Sequence, residues 1–170
     1  MARAEYRRLL TQAYDIDKPD APEVELSYYR ELIRLGDAPV LEAMCGSGRF
    51  LVPLLQDGVE IDGMDASADM LEACREKCSR LGLSTSLELQ ELQTFTPAAV
   101  YGLIFCGGGS FGLIVDVADV GASLAHMRAA LRPGGRLALE VETPASAARP
   151  GYGVHVGGAD PMAHSSCSEM

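Results

Sequence analysis

Tryptophan is absent from this 170-residue chain and aromatic residues make up only 6% of it, so a core must come mainly from the aliphatic part of a 48% hydrophobic composition. That length gives one domain with room for a sizeable core. Basic residues are also scarce, 14 against 24 acids, for a net charge of −10. A nucleic-acid partner wants a basic surface, so the balance speaks against that class and none is expected. No apolar run reaches membrane-spanning length and the N-terminus has no secretory h-region, which gives the expectation of a soluble, cytoplasmic protein without a membrane partner. The five cysteines, Cys45, Cys74, Cys78, Cys106 and Cys167, are odd in number and scattered, as reduced thiols are. Cys74 and Cys78 stand four apart on an expected helix, but no further Cys or His lies at ligand spacing, so no metal is expected.

What is present centres on residues 40–65. An apolar run, Ala38-Pro39-Val40-Leu41, closes on Glu42, and a small-residue turn follows, Cys45-Gly46-Ser47-Gly48. Residues 50–55 have helical spacing, and a second short run, Val59 to Met64, ends on Asp65. Strand, glycine turn, helix, strand and acid make a nucleotide-binding βαβ unit. Glycines let a ligand approach the backbone and let the chain turn sharply. The helix start beyond them offers free N–H groups. Asp65 lies about 19 residues beyond Gly46, at the end of the second strand, where a carboxylate can accept both hydroxyls of a ribose. A dinucleotide fingerprint needs a third glycine where Leu51 stands, so pyrophosphate is poorly provided for. An acid before the turn suits a positively charged ligand, and S-adenosylmethionine carries a sulfonium and an ammonium.

These residues resemble motif I of the class I S-adenosylmethionine-dependent methyltransferases, an acid-x-G-x-G-x-G pattern. Glu42 takes the acid position, and Gly46 and Gly48 take two glycine positions. Met44 stands where the first glycine usually sits and Phe50 where the third often does. Ala66-Ser67-Ala68-Asp69-Met70-Leu71 matches the family's DxSxxML continuation, and Leu131 to Leu137, LRPGGRL, matches its turn before strand five. The three motifs occur in the family's order and spacing across residues 40–141.

The resemblance implies an α/β fold, a Rossmann-like, doubly wound and mostly parallel sheet of order 3-2-1-4-5, with helices on both faces. It implies S-adenosylmethionine as cofactor. Glu42, Met44, Gly46 and Gly48 would hold its methionine part and Asp65 its ribose. Ala66 and Met70 would line the adenosine pocket, and Glu91 with Leu92 would meet the adenine edge. Cys106 and Gly107, with Gly108, would border the sulfonium at the end of strand four.

Around this core, Tyr6, Leu9, Leu10 and Ala13 have helical spacing, Asp15 to Pro22 reads as a polar linker, and a second helix runs from Pro22, at its first position, to Leu35 with Gly36 as stop. By resemblance residues 1–36 form a helical lid over the cleft. Tyr14, Tyr28 and Tyr29 would then face ligand, although aromatics at that spacing more often simply pack. Ser67 caps a helix to about Leu81, with Gly82 behind it. Residues 84–89 and 101–106 are strands, Asp116 or Asp119 starts a helix to Leu131 that carries His126, and a tight turn, 131–136, leads into a fifth strand, Leu137 to Val141. The core spans 37–142.

The family's sheet ordinarily ends in an antiparallel hairpin. Here the 28 or so residues after Glu142 are rich in Ala, Gly, Ser and Pro. Residues 143–170 are expected to be an irregular tail with at most one strand, Tyr152 to Val156, leaving the hairpin incomplete. On that reading the chain is shortened and strand five is an open edge that invites a homodimer.

The function implied is methyl transfer to a small-molecule acceptor, with no catalytic residue named. Asp17, Tyr14 and His155 are unranked candidates for a base. Two rivals remain: a protein that binds S-adenosylmethionine without turnover, which Met44 and the tail favour, and a nicotinamide-dependent oxidoreductase, which Leu51 and LRPGGRL disfavour.

Overall fold

A computed structural model describes residues 8–36, 38–141 and 154–157. Two helices, α1 (Arg8–Asp17) and α2 (Glu23–Arg34), precede the sheet. Then β1 (Val40–Ala43), α3 (Leu51–Gln56), β2 (Ile61–Asp65), α4 (Ala68–Arg80), β3 (Leu87–Leu89), β4 (Tyr101–Cys106), α5 (Val117–Ala130), β5 (Leu131–Glu140) and β6 (Val154–Gly157) follow. The six strands lie in the order β3-β2-β1-β4-β5-β6. The first five run parallel and β6 antiparallel. The Rossmann-like order 3-2-1-4-5 is therefore present.

The local signals account for most of the boundaries. Ser67 accepts a hydrogen bond from Met70 N–H at 3.3 Å, and Asp69 sits in the first turn of α4 with Lys77 and Arg80 in the last. Those charges suit the helix dipole. Asp116 caps α5 by accepting from Ala118 and Asp119 N–H at 2.8 and 3.2 Å. Side chains alternate across the sheet as a strand's period of two requires. Val40, Leu103 and Phe105 enter one core with Leu26, Tyr29, Leu51 and Leu54. Leu41, Ile104 and Cys106 enter the other, with Phe95, Phe111 and Met127. The turn after β1 lies at the C-terminal strand ends, the usual ligand edge of an open parallel sheet.

Several expectations need correction. α1 continues through Asp15 to Asp17, which the sequence assigns to a linker. Asp15 is fixed there by bonds to other elements, described below. Pro22 stands one residue before α2, and its carbonyl accepts from Glu25 and Leu26 N–H. The tight turn 131–136 is absorbed into β5. Leu131 pairs with Tyr101 and Arg136 with Leu103, so the extra residues form an irregularity within a paired strand. Strand five is not an open edge, because β6 pairs with Leu137 to Glu140. The edge argument for a homodimer goes with it. Residues 1–7 of the expected lid, residues 143–153 and 158–170 of the expected tail, and the side chain of His155 lie outside the described residues.

Candidate functional site

The chain leaves β1 and doubles back over residues 44–50. Met44 has φ 57°, Gly46 φ 55° and Gly48 φ 84°, all in the left-handed region. A non-glycine residue there is held against about 1–2 kcal/mol of steric cost. Met44 keeps the backbone shape that a glycine at this position would adopt, and packs its side chain against the Leu41 and Met64 layer.

Asp65 ends β2 facing this turn. Its Oδ2 accepts from Gly46 N–H at 2.9 Å and its Oδ1 from Ser67 N–H at 2.8 Å. A carboxylate offers about four acceptor sites, and with Ala66 N–H also bonded roughly one remains for a ligand. Burial raises the Asp65 pKa, opposed by the Ser67, Gly46 and Ala66 N–H groups. Across the turn Glu42 is 3% exposed, and its Oε2 accepts no hydrogen bond among the described residues. Burial pushes the Glu42 carboxyl well up and Asp65 adds to that, against Leu51 N–H and Arg49. Two buried carboxyl groups thus lie beside a turn of bare backbone, and burial disfavours the ionised form of each.

The other expected residues distribute unevenly. Met70 is buried, with its Sδ 3.9 Å from where a Gly46 Cβ would lie. Ala66 is exposed. Glu91 is half-buried, precedes a 3-10 turn at Leu92–Thr94 and accepts from Gln93 Nε2 at 2.8 Å, while Leu92 is buried. Cys106 is wholly buried in the second core, where burial and then Glu42 push its thiol pKa up. Gly107 is buried, and a Cβ there would meet the Phe50 ring at 2.9 Å and Tyr29 Oη at 3.3 Å. Gly108 is exposed and has φ 62°. Of the base candidates, Asp17 is exposed and Tyr14 is half-buried with Lys18 over its ring. His126 is half-buried on α5. Tyr29 packs, stacked on Phe105 at 4.4 Å and edge-on to Phe50 at 5.3 Å, yet its hydroxyl reaches Gly107.

Sequence reasoning missed three parts of the site. Glu140, at the end of β5, is 2% exposed, and its Oε2 accepts from Gly108 N–H at 2.8 Å. Glu25, on α2, is 7% exposed. Ser47 donates to Asp15 Oδ1 at 2.5 Å, and Lys77 reaches both, at 2.8 and 3.2 Å, tying α1 and α4 to the turn. An acid inside the apolar run LALEV was the one available signal for Glu140. Glu25 and Asp15 gave none, since acids on short helices are ordinarily solvated.

Sheet order and turn together define a Rossmann-like nucleoside-binding domain. Residues 40–135 match the family model described as "Methyltransferase domain". The chain belongs to that family, in agreement with the motif I resemblance. It is 31% identical over 106 residues to an uncharacterized protein of Synechococcus sp., a stretch that is 61% of this chain and 25% of that relative. Among solved structures it is similar to an S-adenosylmethionine-dependent methyltransferase from Clostridium acetobutylicum (TM-score 0.69, 19% identity, 81% of this chain and 58% of that one). The CcbJ methyltransferase from Streptomyces caelestis matches at TM-score 0.76 and 23% identity, over 86% of this chain and 61% of that one. CalS10, an amino pentose methyltransferase from Micromonospora echinaspora solved with S-adenosylmethionine bound, matches at 0.66 and 22%, over 84% and 60%. At these identities the likeness to solved structures establishes the fold. The chain spans a quarter of the curated relative and about three fifths of these structures.

Proposed function

We propose that this protein binds S-adenosylmethionine at the 44–50 turn and transfers its methyl group to a small-molecule acceptor. The observation that carries the reading is the Asp65 carboxylate, pinned by Gly46 N–H and retaining acceptor capacity toward the cleft, beside the unpartnered Oε2 of Glu42. Asp65 would hold the ribose hydroxyls, Glu42 and the turn from Met44 to Gly48 the cationic amino-acid part. Met70 and Ala66 would flank the adenosine, Glu91 and Leu92 the adenine edge, and Gly107 with the backbone of Cys106 the sulfonium.

When bound, the sulfonium supplies an already activated methyl group. The chain's own contribution is then alignment of the acceptor and exclusion of water. The solved relative CalS10 acts on an amino pentose and binds the same cofactor, which supports a small acceptor here. The excess of acids over bases supports the same and disfavours nucleic acid. Four free, buried cysteines among the described residues fit a reducing, cytoplasmic setting. No helix among the described residues is long and apolar enough to cross a membrane. Residues 1–36 serve as a lid over a 37–142 core in this reading.

Isothermal titration with S-adenosylhomocysteine tests the proposal, with NAD as the control. Saturable binding of the first alone is expected, and Asp65→Ala should weaken it about 10- to 100-fold through loss of charge-assisted hydrogen bonds. Binding of NAD in preference, or indifference to Asp65→Ala, overturns the proposal. The Met44 side chain, where the family's motif has glycine, favours a second reading, cofactor binding without turnover. Binding of S-adenosylhomocysteine with no methylation of any acceptor would select it.

A further inference from the structure

Two buried carboxylates near the loop after β4, Glu140 and Glu25, are not used by the mechanism above. Glu140 leans from the end of β5 and is fixed by Gly108 N–H at 2.8 Å through Oε2. Its other oxygen, Oε1, is buried and accepts nothing among the described residues. Glu25 comes from α2, and its Oε2 is buried and unpartnered in the same sense. The two feel each other: burial first, then the Glu140 charge, push the Glu25 carboxyl up, and only Arg49 draws it down. The Tyr29 hydroxyl lies among them, 3.3 Å from a Gly107 Cβ position and within the fields of Glu140, Glu42 and Glu25.

Arg49 does not neutralise the group. Its Nε donates to the Asp20 carbonyl at 2.9 Å, and its Nη1 lies 3.7 Å from a Gly108 Cβ position, with no carboxylate within salt-bridge distance among the described residues. Two like charges more than nine-tenths buried, each with an oxygen making no hydrogen bond, are costly unless something cationic completes them. Gly108, whose N–H is held by Glu140, is exposed.

We infer that the acceptor is an amine, bound as its ammonium between Glu140 and Glu25 beside Gly107–Gly109. The inference rests on the methyltransferase reading and adds the substrate class. The ammonium donates hydrogen bonds to the two free carboxylate oxygens. For reaction it gives one proton to the Glu25 carboxylate, whose protonated form burial favours. The freed nitrogen lone pair forms the N–C bond as the methyl carbon–sulfur bond breaks, and that electron pair stays on sulfur. The products are a methylammonium and the neutral thioether, and the carboxylate proton passes to solvent.

Titrations at saturating S-adenosylhomocysteine test this with matched probes: cyclohexylamine against cyclohexanol, and glucosamine against glucose. At least one amine should bind about tenfold or more tighter than its uncharged partner. Glu140→Gln and Glu25→Gln, near-isosteric changes whose folding is checked by thermal unfolding, should abolish that preference while the S-adenosylhomocysteine Kd stays within about twofold. Equal binding of amine and alcohol by the unaltered protein overturns the inference without any variant. A rise in the S-adenosylhomocysteine Kd equal to the loss of amine binding also overturns it, because the carboxylates would then serve the cofactor's own ammonium. Failure of the unaltered protein to bind S-adenosylhomocysteine is a different result, and removes the parent reading together with this one.

Discussion

Gly46 and Gly48 look equivalent in the motif but meet different surroundings. At Gly48 an added Cβ would lie 2.6 Å from Cys74 Sγ and 2.9 Å from Val52 Cγ2, so this glycine lets α4 close on the turn. At Gly46 the nearest atom is Met70 Sδ at 3.9 Å, and the space is open to the cleft. Both sit at positive φ. Gly46→Ala should therefore cost about 1–2 kcal/mol from backbone strain alone. Gly48→Ala should cost about 1–3 kcal/mol more, because the core must also be overpacked. Urea unfolding of the two variants measures the difference, and equal midpoints would show that Gly48 has no packing role. The need for small residues was legible in the sequence. Which glycine faces a ligand and which faces a thiol was not, since Cys74 is brought to Gly48 only by the fold.

At the scale of elements, the polar junction of Asp15, Ser47 and Lys77 joins α1, the turn and α4. Ser47 is 1% exposed, and removing its hydroxyl leaves Asp15 with Lys77 alone. Ser47→Ala should weaken the docking of α1 by about 1–2 kcal/mol. Amide exchange in Arg8–Asp17 should then quicken about tenfold while the amides of β4 keep their protection, and unchanged exchange in α1 would refute the junction's role. The sequence ends this helix at Tyr14 because DIDKPD carries the composition of a linker. Local composition cannot report a partner 32 or 62 residues away, and those partners are what Asp15 binds. β5 failed in the same manner. RPGG keeps its turn chemistry, with Gly134 at positive φ, but the pairing of Leu131 with Tyr101 places it as an unpaired excursion within the strand.

Over the whole molecule, buried acids couple stability to pH. Burial raises the pKa of Glu42, Asp65 and Glu25 above their ordinary values. Between the unfolded carboxylate range, about 4, and those raised values, the native state binds more protons than the unfolded chain. Stability is then fully present below that range and falls as pH rises through the window. The Tm should drop between about pH 5 and pH 7. Glu42→Gln, which cannot ionise, should flatten the slope and raise the Tm at pH 7. A Tm that climbs over this interval would contradict the assignment. The net charge of −10 pushes in the same direction, since self-repulsion grows as the remaining acids ionise.

The strand order 3-2-1-4-5 was implied only by the family resemblance, whereas the glycine turn, the helix caps and the acid at the end of β2 were determined by the sequence itself. Each of these three is written within a few residues: apolar runs, turn glycines and caps act locally and need no distant partner. Tertiary structure alone decided that Glu25 on α2 is buried, that Glu140 turns to Gly108, and that β6 pairs with β5. Those contacts join residues far apart in the chain, and burial gives a carboxylate its chemistry only after the surrounding elements have excluded water from it.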